Sequence, residues 1–142
     1  MEPKDKVIVI TGGGGGIGSS MARAFLREGA QAVVISDLDN ATLEVCADAL
    51  GCDWRVCDVT DESQVKGLVD YVISEYGRVD VYCSNAGAAG SNSGVLTDAG
   101  NEVWQKQWDL HVMAHVYAAR ALLPSMIDRG DGYFLITSSA AG

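Results

Sequence analysis

Along the chain, short apolar runs alternate with longer stretches whose apolar residues recur at helical spacing. KVIVIT (6–11) is a β-branched run that stops at five consecutive glycines, and it predicts a first strand. Residues 17–30 carry Ile17, Met21, Ala24 and Phe25 on one helical face, with Gly29 as a C-terminal stop. AVVISD (32–37) predicts the second strand, and 40–51 a helix with Asn40 as N-cap and Gly51 as stop. WRVCDV (54–59) predicts the third strand. A helix over 60–77 opens at Thr60 and Asp61 and closes at Gly77. VDVYCSNAG (79–87) predicts a fourth strand that runs into a flexible Gly/Ser-rich loop, AAGSNSG (88–94). Residues 101–130 read as one long helix bent near Pro124, and GYFLITSS (132–139) as a fifth strand.

Strands separated by helices imply βαβ units and a parallel sheet. Right-handed crossovers leave few topologies, and a doubly wound three-layer α/β/α sheet of about five strands is the expectation. The 142 residues fit a single domain, residues 1–142. With 48% hydrophobic and 20% charged residues, the composition is that of a globular chain. The net charge of −9 argues against nonspecific binding to nucleic acid or to an anionic membrane, both of which need a basic surface. No run approaches the roughly 18 apolar residues of a membrane span, and the start has no signal-peptide pattern, so a cytoplasmic location is expected. Cys46, Cys52, Cys57 and Cys83 form no C-x-x-C pair and read as reduced thiols in or near the core.

The glycines follow the first strand and precede the first helix. That is where a Rossmann-type dinucleotide site needs them, because the helix N-terminus offers free N–H groups to a pyrophosphate. Two frames fit TGGGGGIG: Gly13, Gly15 and Gly18 make G-x-G-x-x-G, whereas Gly12, Gly16 and Gly18 make G-x-x-x-G-x-G. Asp37 closes the second strand, where a carboxylate binds the hydroxyls of an adenosine ribose and repels a 2′-phosphate. Leu38 and Asp39 follow it rather than an arginine, which favours NAD over NADP. Asp58 ends the third strand; it can take a hydrogen bond from an adenine amino group, or merely form a turn before Thr60.

These elements together resemble the N-terminal part of a classical short-chain dehydrogenase/reductase. The resemblance rests on Thr11-Gly12-x-x-x-Gly16-Ile17-Gly18, Asp37, Asp58-Val59, Asn85-Ala86-Gly87, Arg120-Ala121-x-x-Pro124 and Ser138-Ser139-x-x-Gly142, in that order from residue 6 to the end. It selects the second frame, with Gly12, Gly16 and Gly18 constrained and Gly13 to Gly15 variable. It implies that Ile17 lies against the pyrophosphate and nicotinamide side, and that Asp58 and Val59 hold the adenine. It implies that Asn85, Ala86 and Gly87 form the cofactor wall, with Asn85 also tying the central strands together. The family's activity is hydride transfer between a nicotinamide and an alcohol or carbonyl substrate, and its full-length members are commonly homo-oligomers.

In that chemistry a Tyr moves the proton, a Lys four residues later tunes it, a Ser orients the substrate oxygen and an Asn positions a water. Ser139, rather than Ser138, matches the Ser. His111 stands at the Asn position; it can take over the water relay or be a packing substitution. His111 and His115 share a helix face, but no H-E-x-x-H pattern or third ligand accompanies them, so no metal is expected. None of Tyr71, Tyr76, Tyr82, Tyr117 and Tyr133 has a Lys four residues on. The chain is therefore expected to be C-terminally truncated relative to the family, and inactive as an isolated dehydrogenase. Trp104, Trp108, Val112 and Leu123 are expected to form an exposed apolar stripe. Two other readings compete: a non-catalytic dinucleotide-binding or subunit-interaction module, and a Rossmann-like methyltransferase. Asn85-Ala86-Gly87 and Ser139 speak against the latter.

Overall fold

A computed structural model describes residues 1–89 and 99–139. Its strands are β1 (Val7–Thr11), β2 (Ala32–Asp37), β3 (Asp53–Val56), β4 (Val81–Ser84) and β5 (Tyr133–Ile136). Its helices are α1 (Gly16–Arg27), α2 (Asn40–Leu50), α3 (Glu62–Tyr76), α4 (Asn101–Trp108) and α5 (Ala114–Arg129). All strand pairings are parallel, in the order β3-β2-β1-β4-β5. This is the doubly wound sheet that the alternating pattern predicts. The order reverses between β1 and β4, so the carboxyl ends of these two strands flank the crevice where such sheets bind ligands.

Each central strand is apolar on both faces, because helices cover both. Val7, Val9 and Val34 pack with Val65, Val69 and Val72 of α3 and with Ala118 and Leu122 of α5. Ile8, Ile10 and Ile35 pack on the opposite face with Ala22 of α1 and with Leu43 and Ala47 of α2. Cys57 and Cys83 are buried, Cys46 and Cys52 half-buried, and all four are free thiols.

Three local expectations are corrected. Asp39, not Asn40, caps α2: its carboxylate accepts from the Ala41 N–H at 3.1 Å, and Asn40 is already helical. Asp outcompetes Asn here because its charge also meets the helix dipole. The 101–130 segment is not one α-helix. A π-helical turn, Asp109–Met113, separates α4 from α5, while Pro124 lies inside continuous α5. Of the expected apolar stripe, Trp104 (53%), Trp108 (54%) and Leu123 (39%) are exposed, whereas Val112, on the π turn, is half-buried. The predicted loop at 90–94 and the last residues of the Ser138-Ser139-x-x-Gly142 motif, 140–142, lie outside the described residues.

Candidate functional site

The carboxyl ends of all five strands open into one cleft of about 1310 Å³. That exceeds the roughly 300–1,000 Å³ of an ordinary small-ligand pocket and leaves room for a dinucleotide with a substrate. Gly12, Gly16, Ile17, Gly18, Asp37, Asp58, Val59, Asn85, Ala86, Gly87, His111 and Ser139 all line it. Residues far apart in sequence are thus brought together by the reversal of strand order.

The glycine loop obeys neither sequence frame fully. Gly12 sits at φ +66°, a left-handed conformation that disfavours a side chain. A Cβ on Gly18 would lie 2.2 Å from the Gly12 carbonyl oxygen, so α1 starts against the loop only because Gly18 has none. A Cβ on Gly13 would lie 2.5 Å from Cβ of Ile35. Gly13 is therefore not a variable position here: β2 packs directly on it. A Cβ on Gly16, the first residue of α1, meets nothing within 4 Å. The fold does not require that glycine, and its open space faces the cleft at a helix N-terminus, which is the cradle a phosphate would fill.

Asp37 is held by its own loop. Its Oδ2 accepts the Gly14 N–H at 3.1 Å and its Oδ1 the Leu38 N–H at 2.7 Å. The carboxylate thereby fixes the glycine loop and stands at the cleft edge. Among the described residues no Lys or Arg lines the cleft. Asp58 makes the turn: its Oδ1 accepts from the Thr60 N–H at 2.9 Å and the Thr60 hydroxyl at 2.7 Å, and its own N–H donates to Gln64. Beside it, burial pushes the Cys57 thiol up to about 11, so this cleft-lining sulfur stays protonated at neutral pH.

At the β1–β4 junction the Thr11 hydroxyl accepts the N–H groups of Asn85 and Ala86 at 3.1 and 3.2 Å. The Asn85 amide donates to the Thr11 carbonyl at 3.0 Å, and its Oδ1 accepts the Thr137 hydroxyl at 2.9 Å. One side chain thus joins the ends of β1, β4 and β5. Thr137 gives no local signal of this partnership, which depends on parallel pairing of β4 with β5.

His111 lies on the π turn, exposed, with its Nε2 3.0 Å from the Ala88 carbonyl. A carbonyl only accepts, so Nε2 carries a proton, and in the neutral ring Nδ1 is the acceptor. His115 is half-buried, with Nδ1 2.6 Å from the hydroxyl of buried Ser84. Burial, and then the neighbouring His111, lower its basicity. Among the described residues no group of three or more His, Cys, Asp or Glu side chains is arranged to hold a metal. Ser138 and Ser139 follow β5 into the same cleft. The sequence pattern passed over Ser84 because a lone polar residue at a strand end is commonplace.

A family model for short chain dehydrogenase matches residues 6–142. The chain is 32% identical over 139 residues to (−)-isopiperitenol/(−)-carveol dehydrogenase, mitochondrial, of Mentha piperita, covering 96% of this chain and 52% of that protein. It is equally similar, 32% over 139 residues with the same coverage, to (+)-cis,cis-nepetalactol synthase of Nepeta racemosa. The chain spans about half the length of the curated relatives it matches. Its fold superposes on NAD+-bound xylitol dehydrogenase with a TM-score of 0.89 at 29% identity, over 100% of this chain and 56% of that one. A short chain dehydrogenase/reductase from Burkholderia phymatum in complex with NAD gives 0.91 at 27%, over 99% and 51%.

Proposed function

This chain belongs to the short-chain dehydrogenase/reductase family, and on that premise we propose that it supplies the NAD-binding cleft of an oxidoreductase interconverting an alcohol and its ketone or aldehyde. When bound, the nicotinamide supplies the hydride chemistry; the protein's work is to hold it and to manage the substrate oxygen. The observation that carries NAD rather than NADP is the Asp37 carboxylate, held by the Gly14 N–H at the cleft edge, with no Lys or Arg among the described residues that line the cleft. There it accepts from both ribose hydroxyls and repels a 2′-phosphate.

In this reading Gly12, Gly16, Ile17 and Gly18 receive the pyrophosphate, with the Gly16 space left for it. Asp58 and Val59 border the adenine, and Asn85, Ala86 and Gly87 form the wall beyond β1. Ser139 donates to the substrate oxygen. The open Nδ1 of His111 accepts from a water that carries the proton onward. Two relatives support an alcohol or carbonyl substrate by their own names: the carveol dehydrogenase above and a borneol dehydrogenase, mitochondrial, of Lavandula x intermedia. A cytoplasmic setting that keeps the four thiols reduced belongs to the same reading.

The 142 residues hold no Tyr with a Lys four positions on, so they carry no Tyr–Lys pair for proton transfer. By themselves they bind NADH saturably and turn over negligibly with a panel of secondary alcohols. Titration against NADH and S-adenosylmethionine, with a steady-state NADH assay alongside, tests this. Binding of S-adenosylmethionine but not NADH, or ordinary turnover, would contradict it.

A further inference from the structure

The wall at the end of β4 is held from above by two imidazoles on one helical face. Residue 84 is buried, 4% exposed, and its hydroxyl meets His115 Nδ1 at 2.6 Å. Four residues on, the Ala88 carbonyl accepts from His111 Nε2 at 3.0 Å. Between these points the Thr11 hydroxyl fixes the N–H groups of Asn85 and Ala86. Gly87 passes directly under the His111 ring, where a Cβ would come within 3.1 Å of Cε1. Segment 84–88 is therefore pinned to β1 at its centre and to the α4–α5 region at both ends.

We propose that His115 is a positioning residue for the nicotinamide-side wall of the cleft, acting through Ser84. The proposal rests on the dinucleotide reading above. Asp37 ends β2 and Asp58 follows β3, on one side of β1, and β4 lies on the other. A dinucleotide with its adenosine at Asp37 must cross the glycine loop toward β4, and so reaches segment 84–88 with its nicotinamide half. The position of that wall depends on the two imidazole bonds. His111 is exposed and holds a loop carbonyl that water can also satisfy. His115, itself at the cleft wall, holds the hydroxyl of a residue only 4% exposed, and losing it leaves Ser84 without this partner. Its lowered basicity keeps His115 neutral at neutral pH.

The test is NADH and AMP binding by the 142-residue chain and by His115→Leu, His115→Asn and Ser84→Ala, at about pH 7.5. AMP reaches only the Asp37 end and reports whether each variant is folded there. In His115→Leu and Ser84→Ala, NADH affinity falls roughly five- to tenfold, the effect of one neutral hydrogen bond, while AMP affinity stays at the wild-type value. His115→Asn, which can still bond the hydroxyl, recovers most of the NADH affinity. Unchanged NADH affinity in His115→Leu, equal losses for NADH and AMP, or no recovery in His115→Asn would each overturn the proposal. If the wild-type chain binds AMP but not NADH, the dinucleotide reading itself fails, and the proposal with it.

Discussion

Gly16 and Gly18, two residues apart, separate folding from binding. Gly18 cannot carry a Cβ because the Gly12 carbonyl oxygen already occupies the place, 2.2 Å away. Gly18→Ala is expected to destabilise the chain by about 1–3 kcal/mol, the cost of overpacking against backbone, measured by urea denaturation. Gly16 has open space, so Gly16→Ala leaves stability within about 0.5 kcal/mol. On the proposed reading, its methyl enters the phosphate cradle and NADH affinity falls at least about tenfold. Equal stabilities for the two variants would contradict this division. The motif was legible in the sequence because strand, glycines, helix and acid occur in the right order. Which glycines the fold needs was not, since the clash at Gly13 comes from Ile35, on a strand more than twenty residues away.

At the scale of elements, the alternating pattern placed the five strands and the first three helices, but it read α4, the π turn and α5 as one helix. Periodicity sees the apolar faces of α4 and α5, which continue through 101–130 without a polar break. It does not see the π turn, whose wider hydrogen bonding leaves residue types unchanged. The strands end sooner than their apolar runs: β3 stops at Val56 and β4 at Ser84, because the chain then turns to serve the cleft. The α4–α5 joint also carries a pH effect. The His115 proton affinity is lowered in the fold from its usual 6.5, by burial first and His111 second. The unfolded chain therefore binds more protons just below pH 6.5, and stability falls as pH drops through that window. The carboxylates whose affinities the fold lowers, Asp39, Asp61 and Asp131, stay ionised there and lose their contributions only in stronger acid. Urea midpoints at about pH 7.5 and 5.5 check this: wild type loses stability between them, and His115→Asn loses less. An equal loss in both would remove His115 as the cause.

For the whole molecule, topology was the most legible feature. Alternation of element types with right-handed crossovers leaves little else to build, and the observed order β3-β2-β1-β4-β5 is the outcome. Less legible was which apolar residues find cover. Trp104 and Trp108 project from α4 more than half exposed, and Ile127 on α5 is 72% exposed. At the sheet edge Tyr133, Leu135 and Ile136 of β5 are also exposed. Large aromatic surface left in water drives association, against which the net charge of −9 acts. Sedimentation equilibrium is expected to show concentration-dependent self-association of this chain. The pair Trp104→Glu and Trp108→Glu is expected to weaken it by at least about tenfold. A monomer at all concentrations in the wild type would contradict this.

The proposed NAD binding depends on the cleft and its acid, Asp37. Titration of the wild-type chain and of Asp37→Ala with NADH and NADPH, followed by nicotinamide fluorescence, probes both at once. Saturable NADH binding is expected, with NADPH weaker by at least about tenfold and that preference lost in Asp37→Ala. NADPH bound as tightly as NADH by the wild type, or a preference unchanged by Asp37→Ala, would contradict it.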